Sequence, residues 1–169
     1  MAWAKVERVL RDLDAGVVPT SRAHPVLVAT TTAARGGFLW LVIAALLAAR
    51  GGGARRAAGR GLVAAGAGMA CGHLLSALVR RPRPPARDLP ARESLPEQPS
   101  SSSFPSKHAA TAAAFTVAVT LRSPRAGVFV VPVGVLVCYG RMRTYIHWTT
   151  DVLGGAALGF AIAYLLRRR

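Results

Sequence analysis

The chain has 169 residues, 52% of them hydrophobic, and sets 22 lysines and arginines against 7 acidic residues for a formal net charge of +15. Its mean hydropathy is nevertheless positive, which excludes an ordinary soluble domain and points to a small integral membrane protein with basic ends. Nucleic acid is excluded as a partner, because the arginines bracket apolar runs instead of interleaving with aromatics on a polar surface.

From Trp3 to Leu13, apolar residues recur at three- and four-residue steps with Lys5, Glu7, Arg8, Arg11 and Asp12 between them, which predicts an amphipathic helix lying on the membrane surface. Ala2 to Asp14 lacks the order of a signal peptide, so insertion is expected to use the first transmembrane helix. Pro19 to Ala34 reads either as a second interfacial helix or as a segment packed deeper. With the amphipathic helix it makes residues 1–35 an interfacial N-terminal segment, ahead of a transmembrane domain over 36–169.

Gly36 to Ala49 is the first spanning segment, shorter than the roughly 20 residues a bilayer core needs unless it borrows from Thr30 onward or meets thinned lipid. Arg50 to Arg60, rich in glycine and arginine, reads as the turn to a second span over Gly61 to Val79. Arg80 to Lys107 has proline and serine clusters and no periodicity, and is long enough to be a site loop. Further spans are predicted over His108 to Leu121, Gly127 to Tyr139 and Val152 to Leu166, with a tight turn at Arg122 to Arg125 and a kink expected at Pro132. Gly66, Gly68 and Gly72, then Gly154, Gly155 and Gly159, suit close helix packing in lipid. The fold class is therefore all-α: a polytopic bundle of five spans, or six if Pro19 to Ala34 crosses. Cys71 and Cys138 lie inside apolar runs and read as small buried hydrophobes. His24 reads as interfacial and His73, inside the second span, as a helix-packing or lipid-pocket residue.

Alternating the spans brings the Arg80–Lys107 loop, the Arg141–Asp151 loop and the N-terminus to one membrane face. The other face carries Arg50, Arg55, Arg56, Arg60, Arg122, Arg125 and Arg167 to Arg169 without an acidic residue, which favours it as cytoplasmic and the first as extracytoplasmic, in the cell membrane. On that first face stand three fragments. Arg141, His147 and Asp151 form R-x5-H-x3-D, in which a neutral imidazole can attack phosphorus if its other nitrogen is held by a carboxylate. Asp151 is placed for that, and equally for capping the last helix. Phe104-Pro105-Ser106-Lys107-His108 opens a helix whose free N–H groups and Ser106 hydroxyl make an anion cradle, with His108 as a proton donor to a departing alkoxide. Arg83, in Arg80-Arg81-Pro82-Arg83-Pro84, offers a guanidinium fork to phosphoryl oxygens. No cluster has metal-ligand spacing.

In order and spacing these fragments resemble the signature of the type 2 phosphatidic acid phosphatase superfamily: K-x6-R-P, P-S-G-H and S-R-x5-H-x3-D. The resemblance covers about Ser76 to Gly155. It implies that His147 is a nucleophile forming a phosphohistidine, Asp151 its orienting partner and His108 the general acid, while Arg83, Ser106 and Arg141 bind phosphate with no metal or other cofactor. Three positions depart from the signature: Ser76 stands where the family has lysine, Lys107 where it has glycine, and Gly140 where it has serine. Loss of the lysine at Ser76 predicts weaker charge stabilisation of the phosphate unless Lys107, Arg80 or Arg81 substitutes for it.

The function expected from these residues is hydrolysis of a terminal phosphate from a membrane lipid phosphate or diphosphate: a polyprenyl diphosphate, phosphatidic acid, phosphatidylglycerol phosphate or a polyprenyl phosphosugar phosphate. Ser76 and Lys107 motivate an alternative, an impaired relative that binds lipid phosphates or scaffolds other membrane proteins. A phosphoryl transferase to an acceptor other than water is a third. No motif speaks to oligomeric state.

Overall fold

The computed structural model describes residues 22–84 and 100–168. The amphipathic helix expected over Trp3 to Leu13 and the middle of the Arg80–Lys107 loop lie outside the described residues. Within them the chain is all-helical: α1 (Pro25–Ala33), α2 (Phe38–Ala49), α3 (Gly52–Leu78), α4 (Lys107–Arg122), α5 (Pro124–Arg143) and α6 (Thr149–Leu165), with single 3-10 turns at Arg35–Gly37 and Leu166–Arg168.

α4 is the axis of the bundle, packed against α3, α5 and α6. Its sequence explains why it can be. Ala109, Ala110, Ala112 and Ala114 are buried and small enough for neighbouring backbones to come close, while Phe115 and Val119 supply bulk one turn and two turns further on. The neighbours answer with glycine. A Cβ at Gly159 of α6 would lie 2.2 Å from the Ala110 carbonyl oxygen, and one at Gly155 would lie 2.4 Å from that of Ser106. Gly68 of α3 meets Ala110 and Ala114 in the same way. Gly66, by contrast, faces open space. Against this small-residue seam Trp40 of α2 stacks on Phe115 with ring centroids 5.0 Å apart, both rings almost fully buried.

Among the described residues three helices are long and apolar enough to cross a membrane: Gly52–Leu78, Pro124–Arg143 and Thr149–Arg168. Pro25–Ala33 with Arg35–Ala49 adds a fourth if the pair, bent by 64°, is one span. The expected five or six are not reached by that measure, because α4 has only 16 residues, about 24 Å of helix. It is also the helix best covered by protein. The outer surfaces carry Leu78, Val128, Phe129 and Leu165, each more than half exposed, as a lipid-facing wall requires.

Two boundaries differ from expectation. The Arg50–Arg60 stretch is not a turn: the chain reverses at Arg50 and Gly51, and α3 starts at Gly52. Arginine and alanine are good helix formers, and Arg60 donates from Nη1 to the Arg167 carbonyl at 2.9 Å, tying the first turns of α3 to the end of the chain. Pro19 to Ala34 yields α1 from Pro25, capped by His24, whose Nδ1 accepts from the Val26 N–H. α1 packs on α5, where a Cβ at Gly140 would strike Thr31. The Arg122–Arg125 turn is as tight as expected, with Ser123 ending α4 and capping α5. α5 continues through Pro132 to Arg143.

Candidate active site

Arg141 lies in the last turn of α5, where the helix dipole favours a cation, and is only 2% exposed. Beyond it Tyr145 takes a left-handed conformation (φ 53°) and breaks the helix. That reversal turns Ile146 and His147 inward before α6 begins at Thr149. Ser106 caps α4, its hydroxyl 3.5 Å from the Ala109 N–H, so Lys107 and His108 occupy the first turn. These pieces meet. Arg83, Lys107, His108, Arg141 and His147 line one cavity of about 240 Å³. Ser106 and Asp151 are fully buried and do not line it.

His147 Nδ1 stands 2.8 Å from the carbonyl oxygen of Ser103 and 3.7 Å from Asp151 Oδ2. A carbonyl oxygen only accepts, so Nδ1 carries the proton and Nε2 presents the lone pair. The carboxylate was the expected acceptor; the main chain of the preceding loop holds the ring instead. Asp151 is occupied elsewhere. As the third residue of α6 it accepts from the Trp148 N–H at 2.9 Å and from Arg81 Nη1 at 2.6 Å. Its own carbonyl accepts from the Ser106 N–H at 2.9 Å, which locks the second motif to the third. Arg81 also donates to Thr150 Oγ1 and lies over the Trp148 ring.

Arg83 reaches across the site. Its Nε donates to the Ser101 carbonyl at 2.8 Å, Nη1 to that of Ile146 at 3.0 Å and Nη2 to that of Ser102 at 3.1 Å, while Nη1 lies 3.4 Å from His147 Nε2. The guanidinium is thereby fixed beside the lone pair. Burial first, then the fields of Arg141 and Arg83, push the His147 imidazole down to about 4 against the opposing pull of Asp151. At neutral pH the ring is uncharged and nucleophilic.

The rest of the lining comes from outside the three motifs: Ala34, Arg35 and Gly36 at the α1–α2 junction, Met69 and His73 on α3, with Ser101 and Thr111. His73 was expected to be a helix-packing or lipid-pocket residue, and Arg35 carried no expectation. The signal available for His73 was its place in the helical turn after Gly68 and Gly72, the face that α3 turns to α4. Ser76 is not part of the lining; its hydroxyl donates back to the His73 carbonyl. Lys107 lays its stem across α3 where that helix has Gly72: a Cβ there would come within 3.2 Å of Lys107 Cγ.

The profile of the PAP2 superfamily matches residues 57–169. Among solved structures, the crystal structure of a transmembrane PAP2-type phosphatidylglycerolphosphate phosphatase from Bacillus subtilis superposes with a TM-score of 0.69 at 22% identity, covering 97% of this chain and 85% of that one. At that identity the likeness is one of fold. No curated protein matches the chain in sequence.

Proposed function

Since the chain belongs to the PAP2 superfamily, we propose that it is an integral-membrane lipid phosphatase that hydrolyses a terminal phosphate through a phosphohistidine on His147. The observation that carries the reading is the tautomer: a buried imidazole whose Nδ1 proton is committed to the Ser103 carbonyl, with Nε2 facing a cavity lined by Arg83, Lys107 and Arg141. In the first step Nε2 attacks phosphorus and the bond to the leaving oxygen breaks. His108, in the same cavity, gives that oxygen its proton. The three cations hold the oxygens on which charge accumulates, in positions set before substrate arrives. In the second step His108 takes a proton from water as it breaks the P–N bond, and inorganic phosphate leaves. Ser106 serves this site by capping α4, so that the helix N-terminus faces the anion. Asp151 acts on the imidazole through its charge and by anchoring the loop that carries it.

The proposed reaction uses no metal, a point that the chelator arm of the test decides. Candidate substrates remain those named above, with the catalytic domain over 36–169 and an interfacial segment over 1–35. The arginine-rich end opposite the cavity supports a cytoplasmic placement for that end, in the cell membrane, and an extracytoplasmic one for the site. The test is phosphate release from a panel of lipid phosphates in chelator, wild type beside His147→Ala, with acid-labile phosphate trapped on histidine during turnover. Release only in the presence of magnesium, or undiminished release by His147→Ala, overturns the mechanism. Turnover with exchange of phosphate onto an alcohol acceptor but none onto water identifies the transferase.

A further inference from the structure

Resting on the reading of His147 as the nucleophile, we propose that Arg81 is a positioning residue that holds both sides of its imidazole and decides which acceptor takes the Nδ1 proton. Arg81 stands two residues before Arg83 yet does not line the cavity. Its contacts run the other way. The carbonyl of Arg81 accepts from the Ser103 N–H at 3.0 Å, and that of Pro82 accepts from the Ser103 hydroxyl at 3.0 Å. Ser103 is thereby fixed, and its own carbonyl is the acceptor 2.8 Å from His147 Nδ1. The guanidinium of Arg81 meanwhile reaches the start of α6, where Nη1 donates to Asp151 Oδ1 at 2.6 Å and to Thr150 Oγ1 at 2.7 Å. It lies over the Trp148 ring, 5.6 Å from the centroid, and the indole Nε1 donates to the Pro82 carbonyl at 3.0 Å. One residue so joins the loop before α4 to the loop before α6, with His147 between them.

The two acceptors near Nδ1 are unequal. A carboxylate binds an N–H about twice as strongly as a neutral carbonyl does, so Asp151, with Oδ2 3.7 Å from Nδ1, would take the proton if its charge were unopposed. Both of its oxygens are engaged instead, Oδ1 by Arg81 and Oδ2 by the Trp148 N–H at 2.9 Å. The cation on Oδ1 holds the carboxylate in place and opposes its charge at the imidazole, and the proton stays with Ser103. A neutral acceptor leaves the ring weakly basic, in keeping with its value of about 4, whereas an unopposed carboxylate would stabilise the imidazolium and raise that value. The other charged and titratable groups around the ring are Arg83 after α3, Lys107 and His108 on α4 and Arg141 on α5, with Arg35 and His73 lining the same cavity. Among the described residues Asp151 is therefore the group able to raise the imidazole, and Arg81 is the group that restrains it.

The experiment follows two readouts on the full chain in detergent: the pH profile of phosphate release, from the lipid phosphate of the panel above that is turned over fastest, and the titration of the His147 ring nitrogens by NMR. In wild type the acid limb and the titration should both fall near 4, with the proton on Nδ1 at neutral pH. Arg81→Gln should move both upward by about one to two pH units, toward the ordinary histidine value. It should also lower kcat by roughly ten- to a hundredfold and leave KM within about threefold. Arg81→Lys keeps a charge beside Oδ1 and should hold the limb and most of the activity. The double variant Arg81→Gln, Asp151→Asn should return the limb to its wild-type position or below and be about as active as Asp151→Asn alone, since the acceptor that Arg81 restrains is gone. An unmoved limb in Arg81→Gln overturns the proposal, as does a limb that stays raised in the double variant. A loss carried by KM also overturns it, because that would put the guanidinium on the phosphate. If Arg81→Gln loses the wild-type circular dichroism, Arg81→Lys decides: a wild-type titration supports the proposal and one near the ordinary histidine value overturns it. If no lipid is hydrolysed, the phosphatase reading fails by itself, and the imidazole titrations of the same variants still judge Arg81.

Discussion

At the cavity end of the bundle Arg141 is buried, Arg83 places its guanidinium among three backbone carbonyls, and Arg81 is paired with Asp151. At the other end Arg50, Arg55, Arg56, Arg122, Arg125 and Arg168 are exposed. What contacts are drawn there are with rings and chain ends: Arg50 over Phe129, Arg167 over Tyr164, Arg60 on the Arg167 carbonyl. The same residue type at the same kind of boundary thus does two things. Where its acceptors are fixed by loops that fold back, it is a preorganised field; where they are water and head groups, it anchors and orients the bundle. Composition counts both alike, and only the acceptors separate them.

That contrast is tested most severely at its centre. His147→Ala should leave phosphate release at least about 10⁴-fold below wild type, since it removes the proposed nucleophile. Arg141→Ala should lower kcat by roughly 10² to 10³, the usual effect of removing one preorganised donor, with the helical circular dichroism unchanged. Asp151→Asn sharpens the role of the carboxylate. Amidating the orienting acid of a catalytic triad costs about 10⁴, but here Nδ1 keeps its acceptor at Ser103, so we expect a loss nearer 10² with a lower melting temperature. A full 10⁴-fold loss would show that Asp151 closes on Nδ1 during turnover.

Smaller effects follow. Lys107→Ala should cost between about ten- and a hundredfold in kcat/KM, and Ser76→Lys should restore part of it only in that background, because Lys107 crosses α3 at Gly72, one turn from Ser76. A loss under tenfold in Lys107→Ala would remove the idea that one cation stands in for the other. The pH profile adds a limb. With the imidazole held at about 4 in the folded protein, the nucleophile stays neutral down to that pH, and kcat/KM should fall only as pH drops through about 4. A limb at the ordinary histidine value of about 6.5 would contradict the buried, cation-flanked environment. At the far end of the bundle Arg122→Ala and Arg125→Ala should change turnover by less than about threefold, a difference expected from surface anchors.

The helices were legible because their signals are local: the small-residue stripes of α3 and α6, the Ser123-Pro124 start of α5, the Ser106 cap. The meeting of Arg83, His108, Arg141 and His147 was legible from motif order and span alternation together. What was hidden depends on backbone. A carbonyl acceptor has no side-chain identity, so Ser103 left no trace in the residue pattern, and the acid four residues after His147 took its place in the reading. Arg35 and His73 were hidden differently, since neither has a motif neighbour and both enter the cavity through the packing of the α1–α2 junction on α3. Residues 52–60 are helical although they read as part of a turn, because glycine marks a turn only when the surrounding residues fail to propagate a helix, and arginine and alanine propagate it.

Asp151 gathers contacts from two distant stretches of chain, Arg81 before the long loop and Ser106 at the start of α4, and from Trp148 beside it in sequence. On the proposed mechanism, hydrolytic competence waits for the final helix, whose Asp151 ties down the loop that carries His147.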